Sequence, residues 1–240
     1  MLKELKTEFV KGFRNVQNFD DLMEGLARSP GEGRFACVYG RAGRGKSRTI
    51  LRWHGSHADT VYLRMLTVWR SSFRGFLQAL CFELGDTSPP FFTAAAFKRA
   101  VELLQRQPRT VFLDEIEKLG RPFLEVVRDL ADLTGCAVVL AGEEELRAIM
   151  SYERRVWSRT FEELEFQPLS PADIMLFSKA VADAPLSAAA AAIFHQASGG
   201  DLRIIKRDLS SALRLAHAKH ANEISPEIAA AAVKAGKKGA

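Results

Sequence analysis

The stretch VYGRAGRGKSRT, residues 38 to 49, follows the apolar run FACV and packs three glycines and four basic side chains into its positions. Gly40, Gly45, Lys46 and Ser47 fit G-x-x-x-x-G-K-[ST] between a predicted strand and a predicted helix, the setting in which backbone amides cradle phosphate. The glycines let the chain curl around phosphate oxygens, and the helix N-terminus adds unpaired N–H groups and the positive end of its dipole. A turn that merely ended a strand would have no need of Lys followed by Ser. The motif therefore assigns Gly40, Arg41, Ala42, Gly43, Arg44, Gly45, Lys46, Ser47 and Arg48 to a nucleotide's phosphates, with Ser47 also a magnesium ligand.

Working outward, apolar runs alternate with helical periodicity from residue 34 to residue 166. Strands are predicted at 34–39, 59–65, 109–115, 136–142 and 160–166. Helices are predicted at 45–55, 71–84, 93–106, 123–135 and 143–159, with Gly135 as a stop signal. The nearly unbroken apolar runs imply burial on both faces, hence a parallel sheet. From Ser170 onward no strand is predicted, and four segments read as helices with Ser or Asp at their N-caps. The fold class is α/β: a five-stranded parallel doubly wound sheet with a small all-α C-terminal domain. The expected divisions are an N-terminal extension at 1–17, the phosphate-loop core at 18–168, the helical domain at 169–232 and a basic, disordered tail at 233–240.

A phosphate loop alone hydrolyses nothing, and a carboxylate is needed at the end of a neighbouring buried strand. TVFLDE supplies two: Asp114 for the magnesium shell and Glu115 to polarise the attacking water. An acidic pair after a strand can also simply begin a solvated helix; its place downstream of Lys46 favours nucleotide hydrolysis.

The 240 residues, 47% hydrophobic and 26% charged, suffice for one large core and a small accessory one. No apolar run reaches the roughly 20 residues that span a bilayer, and the first residues alternate charge with apolar side chains, so a cytoplasmic, membrane-free chain is expected. Cys37, Cys81 and Cys136 lie far apart in apolar stretches without metal-type spacing and read as buried free thiols. The five histidines show no metal-ligand spacing with carboxylates. A formal charge of +5 permits a polyanionic partner.

The phosphate loop, the FLDE pair and the helical C-terminal segment together resemble the AAA+ ATPases, over residues 17 to about 220. The resemblance implies ATP and Mg2+ as cofactors. It also implies a lid arginine in G-x-x-R, here Gly200 to Arg203, touching the γ-phosphate. A further arginine would complete a neighbouring subunit's site, with Arg159 the first choice and Arg155 the second. The polar residue that the family sets after its fourth strand is missing from VVLAGEEEL, and Glu143 is the nearest candidate.

Within that family the stretch from 15 to 49, VYLRML and the junction SRTFEELEFQPLSPADI look most like the ATP-dependent DNA transposition proteins of the phage Mu type. That resemblance implies sequence-independent binding of double-stranded DNA, self-association into a helical filament or ring, and target capture for a transposase that in turn stimulates hydrolysis. Arg64, Trp69, Arg70 and Arg74, extended by Lys98 and Arg99, form a basic and aromatic run suited to DNA phosphates. The alternative is an AAA+ ATPase acting on proteins, without DNA binding.

Overall fold

A computed structural model describes residues 9–29 and 34–238, with Lys237 and Lys238 by backbone alone. It divides into two compact units. One takes Phe19–Arg41 and Lys46–Phe166; the other takes the described residues up to Asn18, Ala42–Gly45 and those from Gln167 onward.

The elements run α1 (Arg14–Arg28), β1 (Phe35–Tyr39), α2 (Lys46–His54) and β2 (Thr60–Arg64), then a 3-10 turn (Thr67–Ser71), α3 (Phe73–Glu83), α4 (Thr93–Arg106) and β3 (Thr110–Asp114). A second 3-10 turn (Ile116–Lys118) leads to α5 (Arg121–Thr134), β4 (Val138–Ala141), α6 (Glu144–Tyr152), α7 (Arg154–Trp157) and β5 (Thr160–Glu165). The strands form one parallel sheet ordered β2-β3-β4-β1-β5.

Alternate residues of each inner strand serve opposite faces. Phe35, Cys37, Val111, Leu113, Val138 and Leu140 pack with α3, α4 and α5 in one core. Ala36, Val38, Phe112, Val139 and Ala141 pack in another with Phe19, Leu22 and Leu26 of α1 and Ile50 of α2. Burial on both faces explains the unbroken apolar runs. The edge strand β5 exposes Glu162 and Glu165 and pairs Glu163 with Arg147 at 2.8 Å. Charges of this kind deter edge-to-edge association.

Two features of this unit depart from the sequence expectation. Helix α1 was not anticipated, although Phe19, Leu22, Met23 and Leu26 recur at helical spacing. The helix expected over 143–159 is broken at Glu153, whose φ of −90° and ψ of 76° are not helical. Met150 and Val156 are both fully buried in the same core, and at about 100° per residue a continuous helix would point them about 120° apart.

In the other unit follow α8 (Pro171–Ala182), α9 (Ala188–Ser198), α10 (Leu202–Ala218) and α11 (Pro226–Lys238). Ser170 caps α8 in a reciprocal box with Asp173, Ser187 accepts from the Ala190 amide, and Asp201 accepts from the amides of Arg203 and Ile204. Their core joins Ile174, Phe177, Phe194, Ile205, Leu209 and Ile228. Two expectations are corrected here. Val10, Phe13 and Val16, assigned to an N-terminal extension, belong to this core. The tail assigned to disorder is helical from 233 through Lys238, because Ala-rich PEIAAAAV favours helix and buries Ala229 and Ala232; residues 239 and 240 lie outside the described region.

Candidate nucleotide site

The loop between β1 and α2 holds Gly40 at φ 138°, Gly43 at 79° and Gly45 at 94°. L side chains avoid these values, so the glycines are required by the path the backbone takes. Lys46 opens α2 and is 8% exposed. Its Nζ donates to the carbonyls of Gly40 and, at 3.0 Å, Arg41, so the ammonium arches across the loop it follows. Ser47 is half-buried beside it. The first amides of a helix lack intrahelical acceptors, and the N-terminus of α2 follows the loop directly, the setting in which a helix end receives an anion. Arg41 reaches Glu144 of α6 at 3.3 Å, an exposed pair of little energetic weight. Arg48 is exposed, while Ala42 and Arg44 are half-buried.

Lys46, Ser47, Asp114 and Glu115 stand at or just beyond the carboxyl ends of β1 and β3, whereas Arg159 immediately precedes β5 and stands at the amino edge of the parallel sheet. In the strand order, β4 separates β1 from β3, so Asp114 stands two strands, about 10 Å, across from the loop's strand. Asp114 is 1% exposed. Its Oδ2 accepts from the Tyr62 hydroxyl at 2.8 Å and its Oδ1 from the Glu115 amide at 3.1 Å, so the carboxylate is oriented by two donors. Burial, then the Asp114 charge, push the Tyr62 phenol up, which keeps it a donor.

Glu115 lies in the left-handed region, φ 60° and ψ 38°. For a non-glycine residue this costs energy and marks functional sites. Its Oε1 accepts from Arg64 at 2.5 Å, and its Oε2 accepts from Lys118. Hydrogen bonding to Arg64 foremost, with Lys118 adding to it against the opposing effect of burial, holds this carboxylate below its ordinary range. A base so clamped is weak; releasing either cation makes it stronger.

The sequence reading missed three residues. Tyr62 and Lys118 orient the two carboxylates, and Lys118 was legible as the i+3 neighbour of Glu115. Glu117 is the third. Burial holds its carboxyl above the ordinary range, and its Oε2 is buried without a partner. It lies against Gly142, leaving no room there for a Cβ. The end of β4 is thus met by Glu117, while the Glu143 side chain is exposed.

In the helical unit Gly200 has φ 76°, and a Cβ there would meet Pro168 and the Leu169 amide, so G-x-x-R needs its glycine. The Leu202 amide donates to the Gly43 carbonyl at 3.0 Å, and Arg203 is exposed on the next position of α10.

The remaining expected residues separate into free and engaged. Arg70, Arg74 and Lys98 are exposed and form no ion pair among the described residues, whereas Arg99 is bound to Asp86 at 2.6 Å and Glu102 at 3.7 Å. Trp69 packs against the core, 6.4 Å from the Phe76 ring. Arg159 donates to Asp132 and to the Arg155 carbonyl, both at 2.8 Å, and is engaged within its own chain. Arg155 is exposed, with no ion pair among the described residues.

A glycine loop closing on a buried lysine, with an oriented Asp–Glu pair across a parallel sheet, defines a phosphate-loop nucleoside triphosphatase. The chain belongs to the AAA domain family, whose signature matches residues 28–150. It is similar to the Mu-like prophage FluMu DNA transposition protein B of Haemophilus influenzae, 28% identical over 152 residues that make up 60% of this chain and 53% of the relative. The chain thus spans about half the length of that curated relative. In fold it is similar to Cdc6p from Pyrobaculum aerophilum, with a TM-score of 0.66 and 18% identity over 93% of this chain and 68% of that one. It is also similar to the Aeropyrum pernix ORC1 protein in complex with DNA, with a TM-score of 0.60 and 17% identity over 91% and 63% of the two chains. Among the described residues no helix is long and apolar enough to cross a membrane.

Proposed function

We propose that this chain is an ATP- and Mg2+-dependent AAA+ ATPase that binds double-stranded DNA without sequence preference, captures it as a transposition target and activates a transposase. The observation that carries the reading is the contact of Arg64 with Glu115. Arg64, 61% exposed at the end of β2, belongs to the basic segment that continues through Arg70 and Arg74, and it also holds the carboxylate that must polarise water. A polyanion that draws Arg64 away leaves Glu115 a stronger base, so binding and hydrolysis are linked through one side chain. The similarity to a DNA transposition protein and the fold shared with an ORC1 protein in complex with DNA support the same partner.

The site's own residues divide the work. The loop amides and Lys46 hold the phosphates. Ser47 and Asp114 fit a hard cation: both offer oxygen, Asp114 is buried and oriented, and the Ser47 hydroxyl makes no hydrogen bond among the described residues. Bound there, magnesium would neutralise charge on the phosphate oxygens. Glu115 orients and deprotonates water. Arg203, exposed at the start of α10, is the arginine assigned to the γ-phosphate, and an arginine from a second copy in a filament or ring, the exposed Arg155 before Arg159, completes the charge stabilisation.

The test is retention of random-sequence duplex DNA at low and high salt, with and without ATP. Retention should require ATP and fall steeply with salt, since phosphate contacts dominate such binding. No ATP-dependent retention even at low salt would overturn the DNA reading in favour of an ATPase acting on proteins.

A further inference from the structure

The connection between α3 and α4, GDTSPPFF at 85–92, is exposed yet tied down at several points. Asp86 accepts from Arg99 at 2.6 Å and from the Ser88 amide at 3.0 Å, and Gln78 donates to the Pro90 carbonyl at 3.1 Å. Pro89 and Pro90 each fix a backbone torsion. The loop so held presents Phe91, 65% exposed, and Phe92, 74% exposed, as an edge-to-face pair with centroids 5.6 Å apart. Two adjacent rings held in water forgo the stabilisation that burial of apolar surface gives.

The charges around the rings select the partner. Arg74 lies over Phe91, 4.6 Å from its centroid. Arg70 precedes it, Lys98 follows on α4, and neither is in an ion pair among the described residues, while Arg99 neutralises the acid of the loop. A surface that joins cations outside ion pairs to exposed aromatic rings matches a ligand that joins phosphates to stacked bases. A second copy of a chain of net charge +5 fits it poorly.

We propose that Phe91 and Phe92 form a wedge that enters duplex DNA between base pairs and bends it, with Arg74 and Lys98 on the flanking phosphates. Apolar side chains inserted at a base step kink a duplex in this way. This rests on the DNA-binding reading above. It adds that the captured DNA is deformed, and that rings as well as charges hold it.

The test uses the full chain, a non-hydrolysable ATP analogue and a random-sequence duplex with a donor and acceptor dye at its ends. Wild type should raise energy transfer on binding. The double variant Phe91→Ala, Phe92→Ala should bind about tenfold or more weakly, without the transfer change, with the same salt slope and unchanged DNA-free ATP turnover. Phe92→Trp should restore bending. Both rings are exposed, so an unshifted thermal melt should certify the fold. A double variant that binds and bends like wild type, or a wild type that binds without bending, overturns the wedge alone. Unchanged DNA affinity with loss of self-association in sedimentation also overturns it, making the face a contact between copies. A wild type that retains no DNA in any nucleotide state overturns the DNA reading itself and the wedge with it.

Discussion

At the scale of single residues, the site separates holding a nucleotide from consuming it. Lys46→Ala removes the ammonium that spans the Gly40 and Arg41 carbonyls, so nucleotide binding should vanish in calorimetry. Glu115→Gln keeps the loop and Asp114 intact; binding should persist while turnover falls roughly a hundredfold or more, as expected for loss of a general base. Binding that survived Lys46→Ala undiminished would show that the loop is not the phosphate site. Arg64→Ala frees one oxygen of Glu115, and DNA-free turnover should rise severalfold while DNA affinity falls. If both DNA-free and DNA-stimulated rates stayed at wild-type values, the proposed link between strand end and base would be lost. The phosphate-loop residues, Asp114 and Glu115 could be named from sequence because their chemistry demands particular residue types at fixed spacing. Tyr62 and Glu117 could not, since a hydroxyl beside Asp114 and a carboxyl beneath Gly142 follow from strand pairing and packing.

Secondary-structure elements were legible where a local rule acts alone. The caps of α8, α9 and α10 fall on the serines and the aspartate expected for them, and Gly135 ends α5 in the left-handed conformation. Asp201 satisfies two amides at the start of α10. Asp201→Ala should therefore cost the helical unit about 1 kcal/mol, seen as a lower melting temperature; an unshifted melt would mean that the cap contributes nothing. Where two demands compete, the local pattern misleads. Residues 143–159 have helical composition throughout, but placing Met150 and Val156 in one core forces the break at Glu153. Trp69 reads as an aromatic contact in a basic run, yet it packs on the core, while Phe91 and Phe92 beyond a Pro-rich turn are exposed.

At the scale of the whole molecule, the proposed self-association is tested through the arginine that a second copy would contribute. Arg155→Ala should leave turnover per chain unchanged in dilute solution and lower the extra rate gained as protein concentration rises. Equal loss at every concentration would place Arg155 in its own chain's site. Arg159→Ala breaks the pair with Asp132, and its effect should be independent of concentration. By itself the sequence determined the fold class, the phosphate loop, the Asp–Glu pair and the helical character of the C-terminal part. Each is written in short-range patterns: residue types at fixed spacing, apolar periodicity and caps. The tertiary structure alone decided that Arg64 clamps Glu115, that Tyr62 orients Asp114, that residues 10–16 join the helical core and that Arg159 is already engaged. Those outcomes depend on which strands lie side by side and which faces are buried, and contacts between residues distant in the chain leave no periodic trace in it.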